Sequence, residues 1–440
     1  MGGHHSHAHR SDDARAQTPF VAGRAVTVIL LTVLIPVLLA TGVALVVLWP
    51  RGTPKTATQT VVTGADAGPV VSAKVQSSTA TTCKGESSDR LPNGTIPATT
   101  VCASVKVALT SGPEKGGTAT VAVPAQVYRD GISPGDAINL TRYPADQTTD
   151  AAAIQADNPN ALSDGTVYAW ADFSRGQPLI LLAVLFALLV VGVARLRGLA
   201  AIGGLAIAYL MVIRFMLPAL RLGENAVAVA VVGSIAVMTV VLYLAHGFSA
   251  KTTTALLGTI FGLGLSAGIA AWACSDAHLN GLNSESNYQL SQLTGGADLS
   301  GIIVCGIIVA GLGVLNDVTI TQAAAVWELH AAGPHLGVGA LFGSGMRVGR
   351  DHLASTVYTI AFAYAGAALP TLILIDLYQR PLMQVLTSGQ IAEEIVRTLV
   401  GSIGLILAIP VTTLIAAAVV TAGRQRSAVR SVVRSPVHLG

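Results

Sequence analysis

Asp317 is the residue of this 440-residue chain whose surroundings most invite chemistry. It follows the uncharged run Leu299–Leu315 and Asn316, and it precedes Val318-Thr319-Ile320-Thr321-Gln322 and Trp327-Glu328-Leu329-His330. No helix breaker intervenes before Gly333-Pro334, so one helix is predicted to continue from the apolar run to about Ala331. On that helix Asp317, Thr321 and Glu328, spaced four and seven apart, share a face. A carboxylate, a hydroxyl and a second carboxylate in line suit a proton or cation path, because hard cations take oxygen ligands. The plainer reading is an interfacial helix end, where Asp317 meets water or an arginine.

The segment Gly333–Gly349 is apolar and dense in glycine, and Arg350-Asp351-His352 closes it. Its apolar part is too short to span a bilayer, so a re-entrant or interfacial segment is expected, with Arg350 and Asp351 gating or pairing at its mouth. His330, His335 and His352, with Glu328 and Asp351 nearby, raise a metal site as a weaker alternative. They lack the HExxH spacing and paired i, i+4 histidines, so no metal is expected. His4, His5, His7 and His9 form a short tract in a tail expected to be disordered. Arg214, close to Arg221, reads as an arginine that snorkels to the headgroups. Neither a P-loop nor a nucleophile elbow occurs, so no catalytic residue and no cofactor is expected.

The elements that must position these residues follow from composition. Apolar residues make up 52% and charged ones 11%, and the mean hydropathy is +0.63. Soluble domains carry about a quarter charged residues, so most of this chain must face lipid. A net charge of +3 gives no case for nucleic acid. Apolar runs predict eight spans, at roughly 25–49, 178–194, 198–217, 226–245, 252–274, 299–316, 353–375 and 397–421. The first resembles a signal peptide, but it is too long and no Ala-x-Ala site follows, so a retained anchor is expected. With the N-terminus inside, twelve basic residues (Arg10, Arg15, Arg24, Arg195, Arg197, Lys251, Arg347, Arg350, Arg424, Arg426, Arg430 and Arg434) fall on the inner side, against Arg221, Arg380 and Arg397 outside.

Between the first two spans, residues 50–177 have another texture. Alternating runs at Thr100–Leu109 and Thr118–Val127 are separated by turns such as Gly112-Pro113 and Ser133-Pro134-Gly135-Asp136. Short strands at this spacing suggest a small barrel or sandwich, with its compact part at 60–145 and a tether around Asp146–Asp164. Cys83 and Cys102 fall in this segment on the oxidising side, where a disulfide is expected and two buried thiols are the alternative. The organisation is then a His-rich tail (1–24), an anchor (25–49), the β-rich domain and tether (50–177), a seven-helix membrane domain (178–422) and a basic tail (423–440).

Two motifs carry a resemblance. Asn316-Asp317-Val318-Thr319-Ile320-Thr321-Gln322 with Trp327-Glu328-Leu329 is one. Gly349-Arg350-Asp351, followed by Thr359, Tyr364-Ala365-Gly366 and Leu369-Pro370, is the other. Together they make the sequence resemble the YibE/F-like family of bacterial multi-pass membrane proteins, and the turns Gly112–Gly116 and Pro134–Asp136 fit that family's N-terminal region. The resemblance extends over about 59–420 and implies a permease-like protein without assigning a substrate. The expected fold is an α-helical polytopic membrane protein of about eight transmembrane helices, both termini cytoplasmic, with a small extracytoplasmic β-barrel or sandwich between the first and second. The expected function is a secondary transporter or exporter coupled to a proton or cation gradient, with Asp317, Asn316, Thr321 and Glu328 on the pathway. The alternative is an envelope scaffold or receptor that binds a partner through its β domain. The partners are the lipid bilayer, a small solute or ion, and a second copy of the chain or an envelope protein, with the plasma membrane as location.

Overall fold

The computed structural model describes residues 24–52, 69–85, 89–91, 93–143, 166–282, 287–288, 290–291, 298–377, 379 and 381–433, with side chains left out at 24–26 and 423–433. The histidine tract at His4–His9 and nearly all of the expected tether lie outside the described residues. The chain divides into two compact units, residues 57–193 and residues 1–56 with 194–440.

The first unit is built on one antiparallel sheet. Its strands are β1 (Val70–Lys84), β2 (Thr99–Leu109), β3 (Thr118–Val123), β4 (Ala137–Tyr143) and β5 (Val167–Phe173), in the order β3-β2-β1-β4-β5. Long β1 serves both halves. Its first residues pair with β4, and from Ala73 onward it pairs with β2, with a register shift between Val75 and Ser77 that bends the strand. The edge strands β3 and β5 approach one another, so the sheet curls towards a barrel. A short helix, α2 (Ala125–Asp130), follows β3. Five strands in this order, with a helix between the third and fourth, have the connectivity of an OB-type Greek-key barrel.

Inward residues alternate as the pleat requires. Ala103, Val105 and Val107 of β2 are buried with Val121 and Val123 of β3 and Ile138 and Leu140 of β4, and together they form one apolar core. The alternating pattern expected to continue to Val127 stops at Val123, because Pro124 removes a ladder donor and starts α2. The compact part also extends past 145, since β5 pairs with β4 and completes the sheet. Cys83 and Cys102 form a disulfide across β1 and β2. In a partly exposed cluster, Arg142 Nε donates to both oxygens of Glu114 at 3.0 and 3.1 Å, and the Tyr168 hydroxyl donates to Glu114 at 2.8 Å. The Arg142 hydrogen bonds hold the Glu114 carboxyl down at about 2, while burial and then the Glu114 contact push Tyr168 up to about 12.

In the other unit, α1 (Arg24–Val47) comes first. Helix α3 (Gly176–Met211) crosses the boundary between the units and breaks at Arg195, where φ is 54° and ψ −128°. A π-helical turn at Val212–Met216 and a helical turn at Leu217–Arg221 continue it, with Arg214 exposed in the first. Then come α4 (Ala226–His246), α5 (Ala250–Asp276), α6 (Leu299–Ala332), α7 (Val338–Ala367), α8 (Leu369–Leu377), α9 (Leu382–Leu386) and α10 (Gly389–Val433). Asn225, Ser249 and Asp298 cap α4, α5 and α6 by accepting a backbone N–H. Among the described residues six helices are long and apolar enough to cross a membrane, or seven if α7 and α8, bent by 60°, count as one span. The protein is therefore a mostly helical membrane protein with a small antiparallel sheet domain.

Helices α5, α6 and α10 form the centre of this unit. Small residues let them approach: a Cβ on Gly262 would lie 2.7 Å from Leu315 and 3.0 Å from Ala408, and one on Gly258 would overlap Thr412. Of the segment 333–349, expected to be re-entrant or interfacial, only Gly333–Gly337 is a turn, and α7 runs unbroken from Val338. Its glycines are helical: Gly345 and Gly349 bring α7 against Thr413 and Ile409 of α10.

Candidate functional site

Asp317 lies midway along α6, which continues as helix to Ala332. Its depth follows from its neighbours. Leu315 packs on Gly262, the middle of α5, and Thr319 Oγ1 lies 2.7 Å from Thr259 Oγ1. Asp317 falls between these levels, so the carboxylate sits at the mid-height of the bundle, on an open face of α6.

Across from it, His352 Nε2 approaches Asp317 Oδ2 at 3.8 Å. The distance exceeds a hydrogen bond, and the two groups form an acid–base pair across α6 and α7. Beside them Asn316 Oδ1 is buried without a hydrogen-bond partner. A turn further on, Gln322 Nε2 donates to the Gly345 carbonyl at 2.8 Å and to Thr413 Oγ1 at 2.7 Å, tying α6 to α7 and α10. Thr412 Oγ1 is buried on the same level and, like Asn316 Oδ1, has no partner among the described residues. Polar side chains thus gather in this layer of the bundle, where unmade hydrogen bonds are costly.

A cavity of about 230 Å³ opens between α6, α7 and α10, lined by Gly311, Val314, Thr359, Tyr364 and Gly401 among others. Val314 is one turn from Asp317, and Gly401 one turn from Arg397 on α10. Arg397 bridges Glu393 at 3.0 Å and Glu394 at 3.5 Å. The cavity therefore lies between two charged clusters. Sequence reading missed the second, treating Arg397 only as a loop margin, although its i, i+3 and i, i+4 carboxylates were a readable signal.

The remaining expected site residues are placed as follows. Thr321 and Glu328 lie on the exposed face of α6 with Asp317. Arg350 and Asp351 are exposed on α7, and Arg350 donates to the Met346 carbonyl at 3.2 Å. His330 is buried at the end of α6 and His335 is exposed in the turn, so neither accompanies His352, well along α7. Among the described residues no three His, Cys, Asp or Glu side chains gather as metal ligands. The free thiols Cys274 and Cys305 are buried, and burial is their packing role.

Fold and site together define a multi-pass membrane protein with a polar, acid-bearing layer in its helical unit. The sequence model of the YibE/F-like proteins matches residues 182–422, more than half of the 440, and the chain belongs to that family. The match begins after the last strand of the sheet, so the likeness of the N-terminal turns lies outside it. No curated protein and no solved structure matches this chain.

Proposed function

We propose that the chain is a secondary transporter or exporter coupled to a proton or cation gradient, working in a bacterial plasma membrane. The observation that carries this reading is the Asp317–His352 pair, 3.8 Å apart at mid-bundle on two different helices. Charged groups at such depth are costly in lipid and mark ion pathways. The pair joins α6 to α7, so a change of charge on either group bears on how the two helices pack. Thr321 and Glu328 extend the path along α6, and Arg350 and Asp351 directly precede His352 on α7. The 230 Å³ cavity beside the pair limits the solute to a small one.

In this reading the chain crosses eight times: α1, the two arms of α3, α4, α5, α6, the α7–α8 pair and α10. Both termini are cytoplasmic and the β-rich unit is outside, where its disulfide is chemically at home. The test uses full-length protein in liposomes with an entrapped pH dye, challenged with a panel of small solutes. A solute that drives proton movement in the wild type should drive none in Asp317→Asn. Wild-type flux in that variant would sink the assignment.

A receptor or scaffold role has separate support in the β-rich unit. A cavity of about 340 Å³, lined by Lys84, Asp89, Thr100 and Trp170 among others, opens near the approach of β3 and β5. Envelope proteins cross-linked to the wild type but lost in Trp170→Ala would favour this reading, and identical capture by both would oppose it.

A further inference from the structure

The open face of α6 is unlike a surface made for lipid. Among the described residues α6 exposes no large apolar side chain, whereas α3 exposes Leu179, Ile180, Leu181, Leu182, Leu185 and Phe186 in succession. What α6 exposes as far as Thr321 is Gly306, Ala310, Gly313, Asp317 and Thr321 itself. At Gly306 and Gly313 a Cβ would meet nothing within 4 Å, so this chain's own packing does not require glycine there. On α7, next in the bundle, the exposed residues include Arg347 and Asp351 as well as Val348, Tyr358 and Phe362. Arg347 donates to Ser344 at 2.8 Å, and neither Arg347 nor Asp351 forms an ion pair among the described residues. Gly345 and Gly349 of α7 pack on Thr413 and Ile409, so these charges lie at the depth of the α10 span.

Small residues permit close helix approach, and charges at this depth need partners. A face bearing both signs is self-complementary across a two-fold axis. We propose that this face of α6 and α7 packs against the same face of a second copy of the chain, with Arg347 of each copy meeting Asp351 of the other. The proposal does not depend on transport.

Two experiments on the full-length chain test it. In a background with Cys274 and Cys305 replaced by alanine, Ala310→Cys should oxidise to a dimer in native membranes, and Leu185→Cys should not. Absence of that dimer, together with ready labelling of Ala310→Cys by a membrane-impermeant maleimide, would show a water-filled cleft and overturn the proposal. The second experiment pairs tagged copies. Arg347→Asp and Asp351→Arg should each lose at least tenfold in self-association, yet bind one another, because the mixed pair restores opposite charges. Equal self-association of both variants and the wild type would also overturn it.

Discussion

The two units treat their charges differently. In the β-rich unit Glu114 meets Arg142 and Tyr168; the Arg142 hydrogen bonds hold Glu114 down, and burial, then the Glu114 contact, push Tyr168 up. In the helical unit Asp317 has one distant histidine, Asn316 and Thr412 have unpartnered buried oxygens, and Arg347 and Asp351 have no ion pair among the described residues. A unit that pairs its charges, although Ser78 Oγ is buried without a hydrogen-bond partner among the described residues, is a stable scaffold. One that leaves them open at mid-bundle, where they cost most, holds them for a proton, a solute or a second copy.

The comparison can be broken from either side. The largest effect is expected from Cys83→Ser with Cys102→Ser, which frees a loop of sequence separation 19. It should cost the β-rich unit about 3 kcal/mol. Calorimetry of the full chain in detergent should show one transition fall and that of the helical unit hold; if both fall together, the units do not melt independently. The converse variant is Gly258→Val. Its side chain would overlap Thr412, and overpacking of this kind costs about 1–3 kcal/mol. Only the helical transition should move. Next is Gln322→Leu, which removes donors to Gly345 and Thr413. Hydrogen bonds between membrane helices average about 0.6 kcal/mol, so the helical transition should fall slightly. A loss as large as that of Gly258→Val would mean that the polar layer, and not the small-residue packing, holds the bundle.

Much of the fold was legible because long apolar runs leave few alternatives, and α4, α5 and α6 lie where those runs predict. What was hidden had physical reasons. The first half of α7 carries Arg347, Arg350, Asp351 and many glycines, so it reads as a loop although the bundle holds it as helix. Strand β5 lies beyond a polar stretch and directly before α3, so nothing local marks it as part of the sheet. At the site, Asp317 stood out by its type, but His352 lies 35 positions away and only the α6–α7 packing brings it near. Pairings of this kind belong to tertiary structure and leave no periodic trace.

A small effect, of the same order as that of Gln322→Leu, is the one that separates the units by pH. Glu114, held at about 2 against an ordinary 4.5, binds fewer protons folded than unfolded. Its contribution is whole above about 4.5 and is lost as pH falls through about 2. Tyr168 works in the opposite direction: its hydroxyl, pushed from 10.0 to about 12, favours the folded unit below 10.0, and that favour is lost as pH rises through about 12. The β-rich unit should therefore have a plateau of stability between these limits, with an acid limb that belongs to Glu114. Because the pair is partly exposed, Glu114→Gln should cost only about 1 kcal/mol at neutral pH. Its clearer signature is a flattened acid limb in the transition of the β-rich unit. An unchanged acid limb in that variant would assign the acid sensitivity to other carboxylates and remove the contrast between a unit that pairs its charges and one that leaves them open.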